Sequence, residues 1–440
     1  MLSTDIARYY GFRKPFDFKV AIPCLLNICL LVLACAVSAY LFLDGGLTIG
    51  TVRFYFFVYI IVLLLIGVAL SRVTPLAYAI LLWCLVELGL ALFGIDLFPE
   101  NYFMGAPEHR FKYHPLLQMV PVPNWHGSVL LFDVRNKSLY DRNGLPINWD
   151  AAGGRYFTFS HNSFGLRGAE PTAADLRKDL IFAFGGSTTY DITVTQGATW
   201  VERLQSELGG VYTVLNFGML AHSTTENLID TAFYEGIIPK RPVCAIYYVG
   251  WNDIHTAHIE QLDRAYADYH LPLIAVRSPD LYFAPYSPVT RLLSRIAKSR
   301  FDSIPPAPTF DGKAAVTGSD RDLEAIFAEH VDTIRAINES RGIKTIFVGQ
   351  VLNRENLNYR PQDINTWVHL VRNADVWPLL EHFNTILRDV AVRHGAKYID
   401  PGIDHFETRD FIDQGHFSAA GSEKFAKLIA GDVESYCQRN

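Results

Sequence analysis

Hydrophobic residues are spread very unevenly along this chain. Before residue 98 they run in three long blocks, at about 20–43, 54–70 and 76–97, each comparable to the ~20 residues that a helix needs to cross a bilayer. Beyond residue 179 shorter apolar runs alternate with amphipathic ones. The pattern predicts strands over 180–184, 212–217, 243–249, 344–351 and 397–400. Between and after them it predicts helices over 200–208, 224–235, 323–341, 376–394 and 419–437. Alternation of this kind predicts an α/β fold, a doubly wound parallel sheet flanked by helices. In such sheets ligands bind at the carboxyl ends of the strands.

Two stretches lack that rhythm. Residues 98–178 read as an irregular β-rich lead-in, punctuated by Pro115, Pro121 and Pro123, with Asn143-Gly144 as a hairpin-turn signal. Residues 255–320 carry aromatics and prolines without a clear period, and are expected to form an insertion near the mouth of a site. The expected organisation is therefore a membrane anchor over 1–97, the lead-in over 98–178 and an α/β domain over 179–440.

The first apolar block is too long for a signal-peptide core, has no small-residue cleavage site close behind it, and is followed at once by two more. Arg8, Arg13, Lys14 and Lys19 precede it, Arg72 lies in the second turn, and the first loop has a single basic residue. This bias places the N-terminus in the cytoplasm and, after three crossings, everything beyond the third span outside. In a bacterium that is the periplasm or cell exterior. Glu87 falls near the middle of the third block, where a charge is costly. It reads either as a contact to a partner helix or headgroup path, or as a protonated carboxyl bonded to a neighbour such as Asn27.

Composition narrows the function classes. The chain is 50% hydrophobic and 19% charged, with the excess concentrated in the first 97 residues. A net charge of −6 with no Lys/Arg block argues against nucleic acid as a partner. Cys24, Cys29, Cys35 and Cys84 lie in the apolar blocks and read as small hydrophobes. Cys244 and Cys437 have no metal-ligand spacing, and with Cys244 in a predicted buried strand no bridge between them is expected.

Four motifs follow predicted strands. Phe184-Gly185-Gly186-Ser187-Thr188-Thr189 exposes a serine at a strand end, though Gly-Gly-Ser is also a common turn and this is not a G-x-S-x-G elbow. Asn216-Phe217-Gly218-Met219-Leu220-Ala221 is a loop whose main-chain N–H groups can face a developing oxyanion. In Gly250-Trp251-Asn252-Asp253 the Asn252 amide can donate to the same oxyanion, leaving Asp253 a structural role. In Asp413-Gln414-Gly415-His416 the three-residue spacing lets the carboxylate hold Nδ1–H of the imidazole and leaves Nε2 free to take a proton. A helix-capping Asp beside an incidental His is the plainer alternative. No second His or carboxylate cluster stands beside the pair, which argues against a metal.

In this order the four blocks resemble the signature blocks of the SGNH/GDSL hydrolase superfamily, over roughly residues 178–434. The run His161-Asn162-Ser163-Phe164-Gly165-Leu166-Arg167-Gly168 is similar to the lead-in found before this domain in many bacterial members. The resemblance implies Ser187 as nucleophile, His416 as general base and acid, and Asp413 as its orienter. It implies Asn252 as side-chain oxyanion donor, joined by main-chain N–H groups of Ser187 and of the second block, Ala221 or Gly218. Two positions depart from the family pattern. Gly186 stands where the family name has Asp, and Ala221 stands where the second block usually has glycine.

The function implied is a membrane-anchored serine esterase or O-acyltransferase, without cofactor or metal. Its expected partners are the lipid bilayer, an ester or glycan substrate such as acetylated cell-surface polysaccharide, and membrane proteins. Lipid deacylation is an alternative for a site held near a bilayer. A non-catalytic carbohydrate-binding or assembly subunit on a hydrolase fold is another, against which the intact Ser187, Asn252, Asp413 and His416 argue.

Overall fold

A computed structural model describes residues 18–43, 52–70, 73–92, 110–114, 116–130, 156–266 and 312–438. These fall into two compact units, one with the N-terminal helices and one with every described residue from 110 onward.

The first unit has helices α1 (Phe18–Leu43), α2 (Val52–Ala69) and α3 (Thr74–Leu92), of 26, 18 and 19 residues. They pack on a shared core that includes Leu26, Leu30, Phe56, Ile60, Leu64 and Cys84. The outward positions are apolar too: Leu25, Val32, Leu65, Leu82 and Leu85 are all half or more exposed. Glu87, on α3, is fully buried. Side chains are described over 22–38, 56–69 and 74–90 of the three helices, and among these described residues no helix is long and apolar enough to cross a membrane. Arg8, Arg13, Lys14, Arg72 and the first loop, on which the expected orientation rests, lie outside the described residues.

The second unit begins with two antiparallel pairs. Strand β1 (Phe111–His114) pairs with β2 (Gln118–Pro121), and β3 (His126–Leu130) with β4 (Tyr156–Ser160). The Asn143-Gly144 turn signal lies outside the described residues. Five parallel strands follow: β5 (Asp179–Gly185), β6 (Tyr212–Asn216), β7 (Cys244–Tyr248), β8 (Lys344–Val348) and β9 (Lys397–Ile399). Their order across the sheet is β6-β5-β7-β8-β9. β5, β6 and β7 are nearly continuous apolar runs because parallel strands are buried on both faces. The order reverses between β5 and β7, and a doubly wound sheet opens its ligand crevice at such a switch point.

Helices α4 (Ser187–Tyr190), α5 (Trp200–Glu207), α6 (Thr224–Ile229), α7 (Arg321–Ser340), α8 (Arg354–Asn358), α9 (Asn373–His394) and α10 (Ala419–Cys437) connect and cover the strands. One face of the sheet packs on α5 and α10 through Trp200, Leu204, Phe425 and Ile429. The other packs on α7 and α9 through Phe327, Ile334, Phe383 and Leu387. Local sequence sets several starts. Thr199 with Glu202 and Ser223 with Glu226 form capping boxes that open α5 and α6. The helix expected over 224–235 is α only to Ile229, continuing as a π turn at Asp230–Tyr234 and a 3₁₀ turn at Glu235–Ile237.

One expectation is corrected. Cys244 and Cys437 form a disulfide, with their Cα atoms 5.7 Å apart. Burial of Cys244 in β7 does not isolate it, because α10 packs on that face of the sheet and buries Cys437 against it.

Candidate active site

Ser187 leaves the carboxyl end of β5 as the first residue of the short helix α4, and His416 and Asp413 lie on the loop that precedes α10. The structure brings these three side chains together. Ser187 Oγ–H donates to His416 Nε2 at 2.8 Å, and His416 Nδ1–H donates to Asp413 Oδ2 at 2.8 Å. The carboxylate fixes that tautomer, since it can only accept. The other Asp413 oxygen accepts from the N–H groups of Gly415 and His416, both at 2.9 Å, so one buried carboxylate shapes the loop and orients the ring. The Ile412 N–H, bonded to the His416 carbonyl at 2.8 Å, closes the turn at its base.

Burial sets the electrostatics. On Asp413 desolvation opposes the charge, but the His416 imidazole and three hydrogen bonds outweigh it and hold the carboxyl below its usual range. On His416 burial likewise disfavours the cation, and the Asp413 carboxylate more than offsets this, so the imidazole sits above its ordinary value. A serine hydroxyl, a neutral imidazole facing it and an anionic orienter behind are the parts needed for nucleophilic attack on an ester carbonyl.

The opposite wall is built from the loops after β6 and β7. Asn252 Nδ2 donates to the His222 carbonyl at 2.7 Å, which fixes the amide orientation and leaves its second N–H unspent. A Cβ on Gly186 would fall on Asn252 Nδ2, so only glycine leaves room for the amide there. Ala221 has φ of +61°, the left-handed conformation that favours glycine, so the substituted residue keeps the backbone shape at the cost of some strain. Among the described residues neither the Ser187 nor the Ala221 N–H has a protein acceptor.

Gly218 does not join them. Its N–H donates to Asn216 Oδ1 at 2.8 Å, which corrects the expectation of an oxyanion donor there. It is glycine because a Cβ would collide with the backbone of Thr189 and Tyr190. Asp253 is structural. It accepts from the Thr224 N–H at 3.0 Å and from the Tyr266 hydroxyl at 3.3 Å, which ties the loop after β7 to the start of α6.

Residues outside the four motifs support this frame. His161 bonds the Tyr190 hydroxyl at 2.8 Å, and burial pushes its imidazolium down to a pKa of about 3, so the ring is neutral. Arg167 donates to the Val194 carbonyl at 2.8 Å, and its guanidinium lies 4.2 Å from the Phe159 ring centre. The lead-in run that holds both residues thus braces the turn that carries Ser187. His222 reaches the carbonyls of Leu117 and Met119 at 3.1 and 3.4 Å. Among the described residues no group of three or more His, Cys, Asp or Glu side chains is arranged to hold a metal ion.

The chain matches no protein-family model and no curated protein. Among solved structures it is similar to an alpha/beta hydrolase enzyme from the metagenome of Lake Arreo, Spain, at 12% identity over 60% of this chain and 100% of that one, with a TM-score of 0.33. It is also similar to a GDSL-like lipase from Bacteroides thetaiotaomicron, at 11% identity over 61% and 92% of the two chains, with a TM-score of 0.33. A third is Est24, a carbohydrate acetylesterase from Sinorhizobium meliloti, at 14% identity over 59% and 99%, with a TM-score of 0.34.

Proposed function

We propose that this chain is a membrane-anchored serine esterase or O-acyltransferase working outside the cytoplasm, on acetyl esters of cell-surface polysaccharide. One observation carries the chemistry: Asp413, His416 and Ser187 form a continuous relay with both side-chain contacts at 2.8 Å. His416 Nε2 takes the Ser187 proton as Oγ attacks the ester carbonyl. The oxyanion is met by the Ser187 and Ala221 N–H groups and the free N–H of Asn252. Collapse of that adduct returns the proton to the departing alcohol and leaves an acyl-Ser187. Water or a sugar hydroxyl then attacks, giving its proton to His416, which passes it to Ser187 Oγ as the acyl group leaves as the acid or as a new ester.

Two features support the location. α1, α2 and α3 are apolar outward as well as inward, as helices facing lipid are. The Cys244–Cys437 disulfide suits an oxidising compartment such as the periplasm. The glycan substrate rests on the resemblance of the four motifs, and three apolar helices would keep the site close to a surface where such polymers are modified.

The test is hydrolysis of p-nitrophenyl acetate and longer-chain esters by the full-length protein in detergent, with Ser187→Ala alongside. Acetyl-ester turnover that vanishes in the variant supports the proposal, and turnover confined to long chains moves it to lipids. Turnover undiminished in Ser187→Ala would sink the nucleophile assignment. Protease added to intact spheroplasts tests the topology. The second unit is expected to be cut, and full protection would overturn an outside location.

A further inference from the structure

Four residues beyond Ser187 lies a carboxylate that the mechanism does not use. Asp191 is 1% exposed and ends α4 with φ of +60°, a left-handed conformation that Asp tolerates better than most residues. Its N–H donates to the Ser187 carbonyl at 2.9 Å, so its backbone is tied to the nucleophile itself. Its side-chain Oδ2 accepts from the Trp200 N–H at 2.8 Å, at the start of α5, and from Ser422 Oγ at 2.7 Å, in the first turn of α10. Two residues on, Thr193 Oγ1 donates at 2.7 Å to the carbonyl of Phe417, the residue that follows His416. Segment 191–193 therefore grips the His416 loop and its helix at two points. Asp191 Oδ1 has no hydrogen-bond partner among the described residues.

The geometry points to Asp191 as a positioning residue for the reaction: it fastens the nucleophile turn to the helix behind the His416 loop and so holds Ser187 Oγ in reach of His416 Nε2. The inference rests on the serine-hydrolase reading above. A solvated carboxylate on the surface would do none of this. This buried one accepts from both α5 and α10 while closing α4. The charged and titratable groups around it are His416, Arg167 from the lead-in with Glu202 beyond it, and Tyr248 from β7. Burial raises the Asp191 carboxyl to a pKa of about 7, so its charge near His416 changes within the working range.

The test uses the full-length protein in detergent and reads fluorophosphonate labelling of Ser187, p-nitrophenyl acetate kinetics and thermal melting. Asp191→Ala is expected to cut kcat and the labelling rate about 10²-fold, the scale of a small misplacement of reacting groups, with KM within a few-fold. Asp191→Asn keeps an acceptor for Trp200 and Ser422 and tolerates the left-handed backbone. It should recover most of that loss, and should move the acid limb of the rate profile to lower pH, because His416 loses an anionic neighbour. Ser422→Ala, which cuts only the arm to α10, should lose about 3–10-fold, on the scale of one hydrogen bond. A folded Asp191→Ala protein with wild-type kcat and only a lower melting temperature would overturn the inference and leave the hydrolase reading intact. Should that variant not fold, wild-type rates in Ser422→Ala together with an unmoved pH profile in Asp191→Asn overturn it equally. An unlabelled, inactive wild-type protein would overturn both.

Discussion

Among the described residues two buried histidines lie within ion-pair distance of a buried aspartate, and they differ in what the far side of the ring meets. In His416–Asp413 the Nδ1–H meets a carboxylate oxygen at 2.8 Å and Nε2 meets a hydroxyl that can donate to it. The neutral ring satisfies both contacts, and Nε2 keeps a lone pair to use. In His222–Asp230 the Nδ1 lies 3.5 Å from the carboxylate, an ion-pair distance, and Nε2 faces the carbonyls of Leu117 and Met119. The two carbonyls keep the proton of His222 on Nε2, while Nδ1 has no hydrogen-bond partner among the described residues. Burial opposes a charge on His222, yet Asp230 outweighs it and holds the imidazole above its usual value, while burial also raises the Asp230 carboxyl. One pair holds a base in readiness. The other ties the lead-in to the loop that carries Ala221. A histidine beside a carboxylate is thus a base only where its second nitrogen sees something that can give up a proton.

The sharpest way to break the comparison is at the reactive pair. Ser187→Ala and His416→Gln should each lower kcat/KM for an acetyl ester by at least about 10⁴-fold, and the double variant should be little worse, because the groups act as a unit. Asn252→Ala should lower kcat by about 10²–10³-fold with little change in melting temperature, which separates the oxyanion wall from the relay. The pH profile refines the picture. Catalysis needs neutral His416, whose raised pKa means that kcat/KM falls off already above the usual imidazole range as pH drops. A plateau that extends well below pH 6 would contradict the geometry of the pair. The smallest kinetic effect belongs to the second pair. His222→Gln should change kcat only a few-fold, since its carbonyl still holds Asn252. It should also lower stability by about 1–3 kcal/mol, read by denaturant unfolding, because Asp230 is left buried without its polar partner.

The sheet was legible because buried parallel strands and amphipathic helices carry different periods, and all five strands of the sheet lie within a few residues of the expected ones. The relay was legible because Asp413 and His416 are close in sequence and Ser187 sits on a recognisable strand end. Gly218 was misread because a loop motif shows which N–H groups exist and not which are already spent; here the Asn216 side chain takes the one in question. His222 and Asp230 are separated by α6, and only the turn of that helix brings them near. The Cys244–Cys437 contact depends on α10 packing over β7, which no local pattern encodes. Asp191 did leave a trace: a lone acid within the otherwise uncharged stretch from Leu180 to Val194.

The disulfide divides the site in a way that the fold alone does not. Its covalent ring runs from Cys244 to Cys437, a separation of 193 residues, and encloses Asn252, Asp413 and His416 while Ser187 lies outside it. A single peptide-bond cut between residues 255 and 320 would therefore yield two polypeptides. One would carry the nucleophile and Asn252, the other the base and its aspartate, and sulfur would keep them attached. Such a nicked enzyme would run as one band without reductant and two with it, and a thiol would then remove the only covalent link between nucleophile and base.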